Sequence, residues 1–105
     1  MKLLTSTDFE NVFNNSNKVK YRGLIILKCV NTLAFPRLGI SISQKYVQNS
    51  YKRNRIKRII REKFRLIQYK LINADFIVII NSRFININYT LLKKNLDNLW
   101  AVYYQ

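Results

Sequence analysis

Between Lys52 and Arg65 the chain reads KRNRIKRIIREKFR, eight cations with Glu62 as the lone acid. Within and beyond this run Ile56, Ile59, Ile60, Phe64, Ile67 and Leu71 recur at spacings of three and four, which predicts a long amphipathic helix opening at Asn49 as N-cap. Such a helix must bury its isoleucine stripe against other elements while holding a positive face outward. Arg53, Lys57 and Arg61 form one row at helical spacing, and Asn54, Arg58, Arg61 and Arg65 form the next. Like charges so spaced cost a helix a few tenths of a kcal/mol per pair, roughly, unless an anion neutralises them. A merely solvated face would mix signs. Arginine predominates, which suits forked contacts to phosphate or base edges, and Asn54 adds a neutral donor and acceptor or is simply an exposed polar residue.

The rest of the composition points the same way. Across 105 residues, 19 Lys+Arg face 5 Asp+Glu, a net charge of +14. The expected partner is a polyanion, nucleic acid before an anionic membrane surface. The chain has no histidine, so it has no Ser-His-Asp triad, histidine base or histidine-ligated metal. One thiol, Cys29, makes neither an internal disulfide nor a metal cluster and reads as a small buried hydrophobe. The carboxylates Asp8, Glu10, Glu62, Asp75 and Asp97 are scattered, which argues against a paired-acid site. With Gly23 and Gly39 the only glycines, no phosphate-cradling loop is available. The apolar runs Leu24 to Leu27 and Phe76 to Ile80 are far short of the roughly 20 residues that span a bilayer. Met1-Lys2-Leu3-Leu4 is cut off by polar Thr5 to Asp8 before a signal sequence develops, so the cytoplasm is the expected compartment.

No linker or repeat divides the sequence, and hydrophobic residues at 49% suffice for a modest core, so one domain over 1–105 is expected. Thr7-Asp8-Phe9-Glu10 fits a capping box with Thr7 as N-cap, followed by Val12 and Phe13, giving a short helix that ends near Asn15. Val19 to Val30 is rich in strand formers, and Leu38, Ile40 and Ile42 alternate with polar or small residues. Asn31 to Pro36 between them has turn character, so two antiparallel strands joined by that loop are expected. Asp75 to Asn81 reads as a central strand, and Asn88 caps a last helix burying Leu92, Leu96, Leu99, Trp100 and Tyr103. The predicted class is α+β in the order α-β-β-α-β-α, with a strand-helix-strand crossover from Arg37–Ser43 to Asp75–Asn81.

The stretch RLGISISQKYVQNSYKRNRIKRIIREKFR, Arg37 to Arg65, resembles the central motif of the bacterial ribonuclease P protein subunit. That family carries Arg-Asn-Arg, then Lys-Arg, then Arg, which are Arg53, Asn54, Arg55, Lys57, Arg58 and Arg61 here. Asp8-Phe9-x-x-Val12-Phe13 is similar to its first helix, Arg22 to an early basic strand position and Leu99-Trp100 to its last helix. The sequence departs from the pattern just before the motif, where Ser50 stands in place of a common alanine, and at Leu27, where some members have an aromatic.

The resemblance implies a ribosomal protein S5 domain 2-like fold whose crossover is left-handed, against the usual right-handed rule. It implies a small protein without catalytic side chains, bound to a catalytic RNA subunit that removes the 5′ leader of precursor tRNA with Mg²⁺ at the RNA active site. It needs neither a membrane nor an obligate protein partner. It assigns Arg53, Asn54, Arg55, Lys57, Arg58, Arg61 and Arg65 to the RNA subunit, and Phe9, Phe13, Arg22 and Lys45 to the leader. Basic grooves with aromatic platforms are a general solution for single-stranded RNA, although a Phe pair at i, i+4 is more often core than platform and, apart from the resemblance, reads as core. Charge and fold alone also fit a structural, ribosomal-type RNA-binding protein. A DNA-binding regulator fits less well, because no second helix follows the basic one through a short turn.

Overall fold

A computed structural model describes residues 2–21, 23–81 and 88–105. Five strands form one sheet in the order β1-β4-β5-β3-β2: β1 (Lys2–Leu3), β2 (Asn17–Tyr21), β3 (Leu24–Val30), β4 (Arg37–Ile42) and β5 (Ala74–Ile80). The helices are α1 (Ser6–Asn15), α2 (Ser50–Ile67) and α3 (Tyr89–Trp100). The sheet is mixed, with β1 parallel to β4, β4 parallel to β5, and β3 antiparallel to both β5 and β2.

The expected class and the strand-helix-strand unit β4-α2-β5 are present, but the strand pairing differs from the sequence reading. The strands flanking Asn31 to Pro36 are not neighbours: β5 lies between them. Six of its seven residues are buried, which only a central strand with both faces covered allows. The loop therefore steps across the width of β5 instead of closing a hairpin. The hairpin lies earlier, where Val19 to Val30 breaks into β2 and β3 at Gly23, whose φ of 81° suits glycine alone among common residues. Outer strand β2 exposes Lys18 and Lys20, charges that discourage edge-to-edge association.

The sheet separates two cores. On one face Leu24, Ile26, Leu38, Phe76, Val78 and Ile80 meet Ile56, Ile60, Phe64 and Ile67 of α2 and Leu92, Leu96 and Trp100 of α3. Trp100 lies at its centre, with ring centroids 5.6 Å from Phe64 and 5.2 Å from Phe76. On the other face α1 sets Val12 against Leu27 and Ile77, with Phe9 and half-buried Cys29 at the margin. Helix α2 is capped by Asn49, whose side chain accepts the Lys52 N–H, and α3 is capped likewise by Asn88.

The N-cap of α1 is Thr5, not Thr7. Thr5 Oγ1 accepts the Asp8 N–H, while the Asp8 carboxylate accepts the Thr5 N–H at 2.9 Å. Asp8 wins over Glu10 because its carboxylate has a second partner. The Arg37 guanidinium donates to Asp8 at 3.1 and 3.3 Å and, as a bidentate fork, to Asp75 at 2.8 and 2.7 Å. Asp75, 3% exposed, also accepts Asn31 Nδ2 at 2.8 Å. Two carboxylates that look scattered in sequence thus converge on one cation, tying α1, β4, β5 and the loop after β3 together.

Replacing Arg37 by Ala strands the Asp75 carboxylate with one amide donor and is expected to cost about 3 kcal/mol or more in urea unfolding. Arg37→Lys keeps the charge but not the fork, so it should recover only part of the loss; an unchanged midpoint for Arg37→Ala would contradict this account. The Asp8 carboxyl is held below its ordinary range by the Thr5 N–H and hydroxyl, then by Arg37. Its folded-state value is depressed, so its contribution is complete above the ordinary carboxylate range and fades as pH falls through the lower folded value. Asp8→Asn should accordingly lose less stability than the parent as pH falls through the acid range in urea melts; an identical pH dependence for the two proteins would contradict it.

Candidate nucleic-acid interface

At about 100° per residue the cations of α2 cannot all face one way. The helix lies with its isoleucine stripe in the core, and the cations divide between its two flanks. On the flank toward the open edge of β4, Lys57 and Arg61 line a groove of about 180 Å³ with Leu3, Leu4, Phe9, Leu38, Gly39 and Ile40. The Phe9 ring rests on Gly39: a β-carbon there would come within 2.5 Å of Phe9 Cζ, so glycine is what lets the ring lie against the sheet. Phe13, one turn on, has its ring centroid 6.3 Å from that of Phe9 and is 50% exposed. The two rings differ in burial: Phe9 is half-buried, and Phe13 is half exposed to solvent.

On the flank toward α3, Tyr51, Asn54, Arg55, Arg58 and Ile59 line a second groove of about 440 Å³ with Lys93. The motif residues differ in how far they are committed within the protein. Arg53 Nη1 donates to the carbonyls of Val47 and Gln48, both at 2.8 Å, holding the β4-α2 loop onto the helix start. The Arg55 guanidinium lies 4.2 Å from the centroid of the Tyr89 ring at the head of α3, a cation–π contact joining the two helices. Arg65 pairs with Glu62 one turn back, which raises the guanidinium's pKa and lowers that of the carboxyl. Lys57, Arg58 and Arg61 have no side-chain partner among the described residues, and Asn54 is exposed beside them.

The residues proposed for the leader are only partly brought together. Phe9 and Phe13 adjoin each other, whereas Lys45 stands in the loop after β4 with its ammonium 5.6 Å from the Tyr46 ring centroid and does not line the Phe9 groove. Arg22 lies outside the described residues. Sequence reasoning missed Gly39 as the seat of Phe9, and it missed Lys93, which periodicity places on α3 without saying which neighbour it faces. It also grouped Lys57 and Arg61 with Arg58, from which the helix separates them.

A mixed sheet covered by helices, with arginine and lysine unpaired among the described residues on both flanks of one helix and Phe9 in the groove beside one of them, defines a small basic RNA-binding α+β domain. The family model described as Ribonuclease P matches residues 1–104. The ribonuclease P protein component of Buchnera aphidicola subsp. Baizongia pistaciae is 49% identical over 99% of this chain and 91% of its own length. That of Pasteurella multocida is 40% identical over 95% and 84%. Among solved structures, the RNase P protein of Staphylococcus aureus superposes with a TM-score of 0.88 at 27% identity, covering 97% of this chain and 94% of that one. The chain belongs to the ribonuclease P protein family and is a protein subunit of that ribonucleoprotein enzyme.

The differing commitments of the cations have a measurable consequence. Arg53→Ala removes two hydrogen bonds from a charged donor and is expected to cost about 2–3 kcal/mol of stability. Arg58→Ala and Arg61→Ala, exposed and unpartnered, should stay within about 0.5 kcal/mol of the parent. Equal losses for all three in thermal or urea melts would show that the stripe is structurally uniform.

Proposed function

We propose that this chain binds the catalytic RNA of ribonuclease P through the α3-facing flank of α2 and the 5′ leader of precursor tRNA through the groove at Phe9 and Phe13. The carrying observation is the division of the α2 cations. Arg58 and Asn54 face one way. Lys57 and Arg61 face the other, in the groove that Phe9 lines, and the half-exposed Phe13 ring stands 6.3 Å beyond Phe9. A strand of RNA in the β4-side groove would lie between the two cations, which meet its phosphates, and Phe13, on which a base stacks. The other flank would meanwhile hold the structured RNA by phosphate contacts. The placement of Lys45 and Arg22 in the leader path rests on the family resemblance alone.

The chemistry of cleavage falls to the RNA in this proposal. The chain has no histidine. Four of its carboxylates are engaged in ion pairs: Asp8 and Asp75 with Arg37, Glu62 with Arg65, and Asp97 with Lys63. Among the described residues no group of three or more His, Cys, Asp or Glu side chains could hold a metal ion. The Mg²⁺ that the family resemblance implies would be held by the RNA, and the protein would contribute position and charge neutralisation. Among the described residues no helix is long and apolar enough to cross a membrane.

Purified protein freed of RNA should leave precursor tRNA intact, and its addition to the cognate RNA subunit should sharply raise cleavage at physiological Mg²⁺. Arg55→Ala and Arg58→Ala should each weaken RNA-subunit binding by about 1–3 kcal/mol with a shallower salt dependence, while Lys2→Ala and Lys94→Ala change little. Phe13→Ala should melt near the parent and lower the preference for leader-bearing precursor over mature tRNA by about 1–3 kcal/mol. Cleavage by RNA-free protein would refute the assignment of chemistry. A Phe13→Ala protein that unfolds early yet keeps its leader preference would remove Phe13 from the site.

A further inference from the structure

The groove between α2 and α3 does not end at the arginine motif. It continues along the helices into a hollow of about 300 Å³ lined by Arg58, Ile59, Glu62, Lys63, Leu66, Lys93 and Leu96. The two spaces share Arg58, Ile59 and Lys93, so they form one trough with a polar end and an apolar end. Leu96 is buried and Ile59 half-buried, and they make the floor; Leu66 stands at the rim, 60% exposed. Lys63 is held by Asp97 across the two helices, and Glu62 by Arg65. Those pairs neutralise the far end. Arg58 of α2 and Lys93 of α3 are left on opposite walls with no partner among the described residues.

We infer that this trough is a seat for one unstacked nucleobase of the RNA subunit, with Lys93 and Arg58 straddling the phosphates on either side of it. This rests on the proposed role of the α3-facing flank in binding that RNA. A phosphate alone has no use for an apolar floor, and an apolar ligand alone has no use for two unpaired cations on facing walls. A nucleotide has both parts in the right relation: a flat face to lie on Ile59, Leu66 and Leu96, and an anionic backbone that passes between the walls. The trough opens at its polar end onto Asn54 and Arg55, so an RNA strand held there could deliver the base without crossing a carboxylate. Lys93 is thereby separated from its neighbour Lys94, which has the same charge and is also exposed but does not line the trough.

The test compares Lys93→Ala, Lys94→Ala, Leu66→Gln and Arg58→Ala in the full-length protein, measuring affinity for the intact RNA subunit over a range of salt concentrations, with a melt for each variant. Lys93→Ala should weaken binding roughly fivefold or more and reduce the salt slope by about one, the signature of one lost phosphate contact. Leu66→Gln should weaken it roughly fivefold with the slope unchanged, because it removes apolar contact with a base and no charge. Lys94→Ala should stay within about twofold, and all four variants should melt near the parent because the altered side chains are exposed. Equal effects at Lys93 and Lys94, or an affinity untouched by Leu66→Gln, would overturn the base seat. A photocrosslinker in place of Leu66 should mark one or a few neighbouring nucleotides of the RNA; capture of protein alone would also overturn it. If Arg58→Ala weakens binding while the Lys93 and Leu66 variants do not, the trough fails and the RNA-binding flank stands. If Arg58→Ala is also without effect, the flank assignment falls with it.

Discussion

The forked contact of Arg37 with Asp75 and Asp8 is the constraint on which the rest of the structure depends. Asp75 is the second residue of the central strand and is buried, so it must find a cation or remain an uncompensated charge. Arg37 begins the neighbouring parallel strand and meets that need with two short bonds, then uses its remaining donors to hold the first turn of α1. Because Asp8 is also half of the capping box, the start of α1 is set by the same cation that joins the two central strands. Phe9 follows Asp8 directly. Its ring consequently falls on Gly39, two residues after Arg37 on the same face of β4, and the groove beside β4 inherits its geometry from a salt bridge outside it.

Helix α2 turns one basic segment into two surfaces. Its core stripe is wedged between sheet and α3, leaving one flank over the edge of β4 and the other over α3. The repulsion among its cations is relieved unevenly. Arg53 and Arg55 give part of their hydrogen-bonding and stacking capacity to loop carbonyls and to Tyr89, while Lys57, Arg58 and Arg61 keep theirs for a partner. A motif that reads as a uniform patch is therefore partly a device for holding the loop and α3 in place. The superposition on the Staphylococcus aureus protein with a TM-score of 0.88 at 27% identity shows that the backbone carrying this helix is shared.

Local signals were legible where their causes are local. The Asn49 and Asn88 caps, the isoleucine stripe of α2 and the buried side of α3 depend on residues three or four apart, and the structure places them as periodicity requires. The α1 cap was misread by two residues because Thr5 and Thr7 each stand three residues before an acid, and only Arg37, 29 residues beyond Asp8, distinguishes them. The pairing of strands on either side of the Asn31 to Pro36 loop was misread for a similar reason. A short turn-like loop favours a hairpin until a later strand, more apolar than either, claims the position between them.

The sequence by itself determined that this is a strongly basic α+β chain with a long cationic helix, because composition, helical period and an uninterrupted motif are properties of the chain alone. It also determined which residue types could meet RNA. Tertiary structure decided which of them remain free to do so. Whether an arginine grips a carbonyl, stacks on a tyrosine or faces solvent depends on elements that approach it from elsewhere in the chain. The neighbours that Lys57, Arg61 and Arg58 each face, the seat of Phe9 on Gly39 and the meeting of Lys93 with Arg58 across two helices all arise from packing between segments distant in sequence, which no local period encodes.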